Sequence, residues 1–238
     1  MTRCFSPLPE TDLSMTFKAV LFDLDETILD RSRSLELYLT WEASEYLNLS
    51  YADCERYIER FIELDQHGMA DKTEVYTTLW KEFGLYEHTA TELTSNYIVS
   101  FQRFVCEKRH VDQALAMLKS QGLKLGVVSN GPTPFQDNNL AALGLTDIFD
   151  TVVISGAVAC RKPDASIFTL ACDNIDVAAA DCVFVGDNPD TDIRGASSIG
   201  MFTVFVPTRR YQACNFANKV CRDMRDLPAV IAEAATQA

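Results

Sequence analysis

The sequence predicts an α/β fold: a doubly wound, mostly parallel, Rossmann-like sheet with an inserted α-helical cap domain. Two observations support this prediction. Five short apolar runs are spread along the chain with helical patterns between them, the alternation typical of a parallel sheet covered by helices. One long interval, residues 31–108, breaks the alternation because it contains helical patterns only. The 238 residues are enough for such a core and an insert.

The predicted strands are rich in Val, Ile, Leu and Phe and do not alternate cleanly with polar residues. Runs of this kind are typical of strands that are buried on both faces, as in a parallel sheet covered by helices. The five runs are AVLFDL (19–24), LKLGVVSN (123–130), TVVIS (151–155), DCVFVGD (181–187) and MFTVFV (201–206).

Amphipathic helices are predicted between these strands. In residues 111–122, Ala114 and Leu118 share one face with their apolar neighbours, and Gly122 is suited to a left-handed C-terminal cap. Residues 164–175 repeat the pattern. These helices would cover the sheet.

The interval between residues 31 and 108 has four amphipathic segments and no convincing strand. In the first segment, Leu35, Leu39 and Ala43 recur at helical spacing. A block of this length is too long for an ordinary connection between a strand and the next helix. We therefore expect a separate helical cap domain over the strand ends.

These patterns divide the chain into three parts. Residues 1–16 carry two prolines and no periodicity, which indicates a flexible N-terminal extension. Residues 17–30 and 109–238 are predicted to form the α/β core domain, and residues 31–108 the cap domain.

Charge and composition exclude several classes of partner. The 34 acidic residues outnumber the 21 basic ones, for a net charge of −13, which disfavours binding to nucleic-acid polymers. No apolar run has the length of a membrane span or a secretory signal, so we expect a cytoplasmic protein with no membrane partner. The eight cysteines show no zinc spacing and are expected to be free thiols. A small anionic substrate stays compatible with this charge.

Polar side chains follow four of the predicted strands at their carboxyl ends, where doubly wound sheets bind ligands. The candidates are Asp23, Asp25 and Thr27 after the first strand, Ser129 and Asn130 after the second, Lys162 after the third, and Asp187, Asn188 and Asp192 after the fourth.

The residue types in this cluster point to phosphoryl chemistry. Clustered carboxylates repel one another unless a cation or a proton offsets their charge. Oxygen ligands with few protein carboxylates suit Mg²⁺, which also takes phosphate oxygens as ligands. Lys162 adds a positive charge, and Ser129 and a backbone N–H near Asn130 can donate to phosphate oxygens. The cluster therefore predicts a magnesium site that positions a transferring phosphoryl group.

Four motifs support this prediction by resemblance. DLDET, VVSNG, RKPDASIF and VGDNPDTDIRGA resemble, in the right order, the four signature motifs of the haloacid dehalogenase (HAD) superfamily. Each motif alone is weakly specific, but four in order at strand ends, over residues 18–207, are a specific combination. The helical insert is similar to the cap of the phosphoglycolate phosphatase and pyrimidine nucleotidase-like branch.

The resemblance implies a role for each catalytic candidate. Asp23 would be the nucleophile that forms an aspartyl-phosphate. Asp25 would be the general acid for the leaving alcohol and then the base that activates water. The carboxylates of Asp23 and Asp187, with the backbone carbonyl of Asp25, would hold Mg²⁺.

The remaining candidates would bind or support the phosphoryl group. Thr27, Ser129, Asn130 and Lys162 would bind the substrate phosphate, and Lys162 would also neutralise the nucleophile. In the fourth motif, Asn188 would take a supporting position. Asp192 would orient Lys162 or a metal-bound water.

Together these inferences predict a Mg²⁺-dependent phosphatase that hydrolyses a small phosphorylated metabolite, such as a nucleoside monophosphate or a sugar or glycolate phosphate. A phosphosugar mutase of the same superfamily stays an alternative, because it shares all four motifs. A phospho-accepting regulatory module is a second one, but such modules lack an acid/base Asp at the position of Asp25 and have no helical insert. Asp25 also argues against a true dehalogenase. The oligomeric state is left open.

Overall fold

The computed structural model describes residues 17–236 and contains one six-stranded sheet. Its strand order is 3-2-1-4-5-6 in chain numbering, and all neighbouring strands pair in parallel. The first strand lies at the centre, where the order changes direction, and ligands bind at such switch points. The strands are β1 (Ala19–Phe22), β2 (Lys124–Ser129), β3 (Thr151–Ile154), β4 (Cys182–Gly186), β5 (Phe202–Phe205) and β6 (Lys219–Val220).

The doubly wound, parallel α/β fold predicted from the sequence is confirmed, and each of the five predicted strands is present. The sixth strand, β6, was not predicted. It has two residues, Lys219 and Val220, at the edge of the sheet, and Val220 is exposed. A strand this short and this polar gives no apolar run in the sequence.

Helices cover both sides of the sheet and fill the interval after β1. The chain passes from β1 into four helices before it reaches the helix that precedes β2. The helices are α1 (Arg31–Trp41), α2 (Tyr51–Asp65), α3 (Lys72–Phe83), α4 (Ala90–Ser100), α5 (Val111–Ser120), α6 (Phe135–Ala142), α7 (Ala165–Asn174), α8 (Gly195–Ser197) and α9 (Leu227–Thr236).

The central strand β1 shows why the predicted strands are apolar on both faces. Val20 and Phe22 point into one hydrophobic cluster, which includes residues of α5 and α9. Leu21 points to the opposite side, into a second cluster with Phe168 of α7. All three β1 side chains are at most 1% exposed, and burying each stabilises the fold by about 1.5 to 3 kcal/mol.

The segment of residues 31–104, which contains α1 to α4 and which we call the helical insert, has a hydrophobic core of its own. Tyr38, Tyr57, Phe61 and Tyr76 are fully buried in it. The insert occupies the interval predicted for the cap domain, and its role as a separate domain stays a prediction. The predicted flexible extension, residues 1–16, lies outside the described residues. Among the helices of residues 17–236, none is long and apolar enough to cross a membrane.

Candidate active site

Three carboxylates meet at the carboxyl end of the sheet. β1 and β4 pair in register, with Phe22 opposite Val185, so the residues that follow both strands emerge side by side. Asp23, Asp187 and Asp192 are buried there, and one carboxylate oxygen of each lies within 4.8 Å of the others. The strand pairing therefore concentrates negative charge in a space that water barely reaches.

Lys162 is the cation of this cluster. Its Nζ lies 2.5 Å from Oδ1 of Asp23 and 2.8 Å from Oδ1 of Asp192, and its side chain is 2% exposed. Asn130 fixes the backbone of Lys162 through two hydrogen bonds. The side-chain amide of Asn130 donates to the Lys162 carbonyl at 2.9 Å, and the Lys162 N–H donates to Oδ1 of Asn130 at 2.9 Å. The Asn130 side chain therefore holds the backbone of Lys162 in place.

The segment after β4 positions Asp192. Oδ1 of Asn188 accepts the N–H groups of Asp190 and Thr191, and so caps the helical turn that carries Asp192. The N–H of Asn188 donates to Oδ2 of Asp192 at 3.1 Å. Gly186 leaves the space for this carboxylate, because a Cβ there would lie 2.5 Å from Oδ2 of Asp192. Asp192 is therefore held against Lys162, and its role in orienting Lys162 stays a prediction.

Asp25 has a partner that the sequence did not predict. The side-chain amide of Gln136 donates to Oδ2 of Asp25 at 2.7 Å and also lies 3.2 Å from the Ser129 hydroxyl. Asn139 donates to Oε1 of Gln136 at 3.0 Å. Gln136 is 2% exposed and lies in the first turn of α6. Its place just after the second motif is the one signal that could have suggested it.

Thr27 and Ser129 lie behind the surface that a substrate reaches. Thr27 is fully buried, and its hydroxyl has no hydrogen-bond partner among residues 17–236. Ser129 is 1% exposed. Asp23, Asp25 and Lys162 line the large cavity above the sheet edge, whereas Thr27 and Ser129 are absent from its lining. The phosphate-binding roles of Thr27 and Ser129 stay predictions.

Burial and crowding favour the neutral form of the carboxyl groups. Burial raises the pKa of Asp187 to about 8, with added repulsion from Asp23 and Asp192. Burial also raises the pKa of Asp23 to about 7, against the attraction of Lys162. The pKa of Asp25 is raised by burial as well, although Arg31 and Gln136 lower it. Without a further positive charge, the site holds more carboxyl groups than Lys162 can neutralise.

The donor set fits a hard divalent cation. Both oxygens of the Asp192 carboxylate already have partners, because Oδ1 contacts Lys162 and Oδ2 accepts the N–H of Asn188. Asp187 has the Thr208 hydroxyl at 3.4 Å and no ion pair within the described part of the chain. The free donors are oxygens, and no cysteine or histidine belongs to the group. Such a set suits Mg²⁺ or a similar ion.

A cavity of about 1440 Å³ lies between the sheet edge and the helical insert. Its floor carries the catalytic candidates, and its opposite wall includes Arg31, Lys72 and Tyr97 of the insert. Small-molecule sites occupy roughly 300 to 1,000 Å³. The cavity therefore has room for a phosphoryl group and the rest of a small metabolite.

Comparisons with known proteins agree with this fold. The sequence model of the haloacid dehalogenase-like hydrolase family matches residues 20–206 of the chain. Glyceraldehyde 3-phosphate phosphatase of Methanopyrus kandleri is 30% identical over 205 residues, which cover 82% of this chain and 86% of that protein. Ribulose-1,5-bisphosphate 5-phosphatase of Halopiger xanaduensis is 29% identical, over 86% of this chain and 91% of that protein. A HAD phosphatase structure from Thermococcus onnurineus has a TM-score of 0.63 and 28% identity, over 90% of this chain and 98% of that one.

Proposed function

The chain belongs to the haloacid dehalogenase-like hydrolase family, and we propose that it is a Mg²⁺-dependent phosphatase that works through an aspartyl-phosphate intermediate. The observation that carries the proposal is the buried contact of Lys162 with Asp23 and Asp192, beside Asp187. A buried carboxylate against a fixed cation, at the floor of a cavity, suits a nucleophile that accepts a phosphoryl group.

In the first step, an Asp23 carboxylate oxygen attacks phosphorus and the bond from phosphorus to the substrate's alcohol oxygen breaks. Asp25 donates a proton to that oxygen, so the product leaves as a neutral alcohol. Burial raises the pKa of Asp25, which suits a group that must hold a proton before the reaction. The phosphoryl group then remains on Asp23.

In the second step, water attacks phosphorus and the bond to the Asp23 oxygen breaks. Asp25, now ionised, takes the proton of the attacking water. Inorganic phosphate leaves and both carboxyl groups return to their starting states. Throughout, Lys162 stays beside Asp23 and offsets the charge of the phosphoryl oxygens, while Asp192 holds the Lys162 ammonium in place.

The carboxylates of Asp23 and Asp187 and the backbone carbonyl of Asp25 would hold Mg²⁺. When bound, the ion supplies the positive charge that lets two buried carboxylates and a phosphate share one site. The excess of carboxyl groups over cations at this edge supports the assignment.

The helical insert is proposed to act as a cap that shapes the pocket of the leaving group. It forms one wall of the cavity and has its own hydrophobic core. Phe135, the residue before Gln136, packs on the insert with its ring centroid 5.4 Å from those of Tyr97 and Phe101. Closure of such a cap excludes water from the reacting atoms.

The substrate class is proposed to be small phosphomonoester metabolites. The curated relatives described above act, by their names, on a triose phosphate and a pentulose bisphosphate. Nucleoside monophosphates and phosphoglycolate belong to the same size class, and the cavity can admit them.

Hydrolysis of p-nitrophenyl phosphate tests the proposal. We expect release of nitrophenol and inorganic phosphate in the presence of Mg²⁺ and loss of activity in EDTA, with recovery on adding the ion back. Activity that is equal with and without chelator would contradict the metal role. A metabolite panel read out as inorganic phosphate also separates a phosphatase from a mutase, which would yield an isomerised sugar phosphate instead.

A further inference from the structure

A buried carboxylate with two cationic partners lies on the helical insert, on the wall opposite the catalytic residues. Asp65, at the end of α2, accepts two hydrogen bonds from Arg31 at 2.9 and 3.1 Å. Lys72, at the start of α3, places its Nζ 2.8 Å from Oδ1 of the same carboxylate. Two cations against one carboxylate leave a net charge of +1 within the triad.

The triad is built into the cavity wall. The side chains of Arg31 and Lys72 are 12% and 16% exposed, and Asp65 is 2% exposed, yet all three line the cavity. Gly68 donates its N–H to Oδ2 of Asp65 at 2.7 Å and leaves room for Arg31, because a Cβ there would lie 3.1 Å from the guanidinium. Backbone and side chains thus hold the two cations in fixed positions.

This positive charge is separate from the charge that neutralises the phosphoryl site. Lys162 serves Asp23 and Asp192 on the floor of the cavity. Arg31 and Lys72 nevertheless line the same cavity as Asp23 and Asp25, on its opposite wall. The triad is therefore within the reach of a small substrate whose phosphate lies on Asp23.

Exposed arginines extend the positive wall. Arg161, Arg209 and Arg210 line the cavity, and none of the three forms an ion pair within residues 17–236. Arg210, which follows β5 in the chain, contacts Met69 of the insert, with its Nη2 3.9 Å from the Met69 sulfur. In a chain with a net charge of −13, the lining of this cavity is close to balanced, with eight Lys and Arg side chains against nine Asp and Glu side chains.

We propose that Arg31 and Lys72 form a subsite for a second anionic group, a carboxylate or a second phosphate, on the leaving part of the substrate. The inference rests on the proposed phosphatase function and narrows its substrate class. Charge-assisted hydrogen bonds to a fixed guanidinium and ammonium recognise the oxygens of both groups. A triad that only ties α1, α2 and α3 together would stabilise the fold without any preference among substrates.

Two matched substrate pairs separate these possibilities. Glyceraldehyde 3-phosphate and 3-phosphoglycerate differ in an aldehyde against a carboxylate, and ribulose 5-phosphate and ribulose 1,5-bisphosphate differ in a second phosphate. For each pair we measure kcat/KM of the wild-type protein for both substrates. The ratio is the value for the substrate with the second anionic group divided by the value for the substrate without it. We expect a ratio of about ten or more for at least one pair. The pair that shows it identifies the second group as carboxylate or phosphate.

Variants of the triad must move this ratio in opposite directions. Lys72→Met lowers the net charge of the triad from +1 to zero, because only Arg31 and Asp65 stay charged. It should reduce the ratio about tenfold. Asp65→Asn raises its charge to +2 and should increase the ratio. Lys81→Met, an exposed cation on the same helix outside the cavity, should leave the ratio within about twofold of the wild type. Misfolding lowers all rates and cannot produce opposite changes in a ratio.

The outcomes are distinguishable from a failure of the phosphatase proposal. If the wild type hydrolyses neither p-nitrophenyl phosphate nor any of the four metabolites, the proposed function is wrong. If it hydrolyses them but the ratios are near one, or do not respond to Lys72→Met and Asp65→Asn, the subsite is wrong.

Discussion

Lys162 and Asp23 are 139 positions apart in the sequence, yet they form an ion pair of 2.5 Å in the interior of the protein. The pair joins the end of β1 to the loop after β3. Because burial disfavours both charges, each is tolerable only while the other is present. The proposed mechanism depends on this pair, since it keeps a nucleophilic carboxylate beside a cation in a site with little water.

Replacing Lys162 tests this dependence. Lys162→Met should lower kcat/KM for p-nitrophenyl phosphate about a hundred- to a thousandfold, because the charge that offsets the phosphoryl oxygens is lost. It should also destabilise the fold by about 3 to 5 kcal/mol, because Asp23 and Asp192 lose their buried partner. Steady-state kinetics and urea unfolding measure both effects. Lys81→Met is the control, and a Lys162→Met rate within tenfold of wild type would refute the role.

Gln136 is predicted to position the acid/base residue. Gln136→Met keeps the length of the side chain but removes the donor that contacts Asp25 and Ser129. We expect kcat to fall about ten- to a hundredfold while KM changes little, because a misplaced catalytic group affects the chemical step. A raised KM at unchanged kcat would instead assign Gln136 to substrate binding.

Glu42 is a buried carboxyl in the helical insert, away from the catalytic cluster. It accepts hydrogen bonds from the hydroxyls of Tyr38, Tyr57 and Tyr76 at 2.5, 3.0 and 2.8 Å and is fully buried. Burial raises the pKa of Glu42 from 4.5 to about 7, although the three hydroxyl donors lower it. The folded protein therefore binds a proton at Glu42 more tightly than the unfolded chain does.

This proton linkage predicts a pH-dependent stability. The contribution of Glu42 is fully present below pH 4.5, declines as the pH rises towards about 7, and is lost above that. Between about pH 5 and pH 8, the free energy of unfolding of the wild type should fall by about 2 to 3 kcal/mol more than that of Glu42→Gln. Urea unfolding at both pH values measures this difference. The matched variant Glu45→Gln, at an exposed position, should behave like the wild type, and equal pH profiles for all three proteins would exclude the linkage.

The fold and the meeting of carboxylates at the sheet edge could be predicted because both follow from local patterns. A strand buried on both faces must be apolar along its length, and a carboxylate directly after it must lie at the sheet edge. Asp23 and Asp187 follow two such strands, and the doubly wound topology brings those strands together. Neither inference needs the packing of distant helices.

The rest depends on packing that no local pattern specifies. Gln136 reaches Asp25 because α6 turns back over the end of β2. Glu42 is buried because Tyr57 of α2 and Tyr76 of α3 pack against it and donate to its carboxylate. The contact of Lys72 with Asp65 depends on the path of the chain between α2 and α3. Each of these residues is polar and lies on a helix, where a solvent-exposed position is the usual expectation.

Trapping the phosphoryl group on the protein tests directly whether Asp23 is the nucleophile. The wild-type protein and Asp25→Asn are mixed with p-nitrophenyl phosphate and Mg²⁺, quenched in acid, and reduced with borohydride, which converts an acyl phosphate to an alcohol. Peptide mapping then locates the modified residue. We expect homoserine at position 23, in greater yield for Asp25→Asn because the second step has lost its base. Turnover by the wild type with modification at another residue, or with no modified residue in either protein, would contradict this role of Asp23.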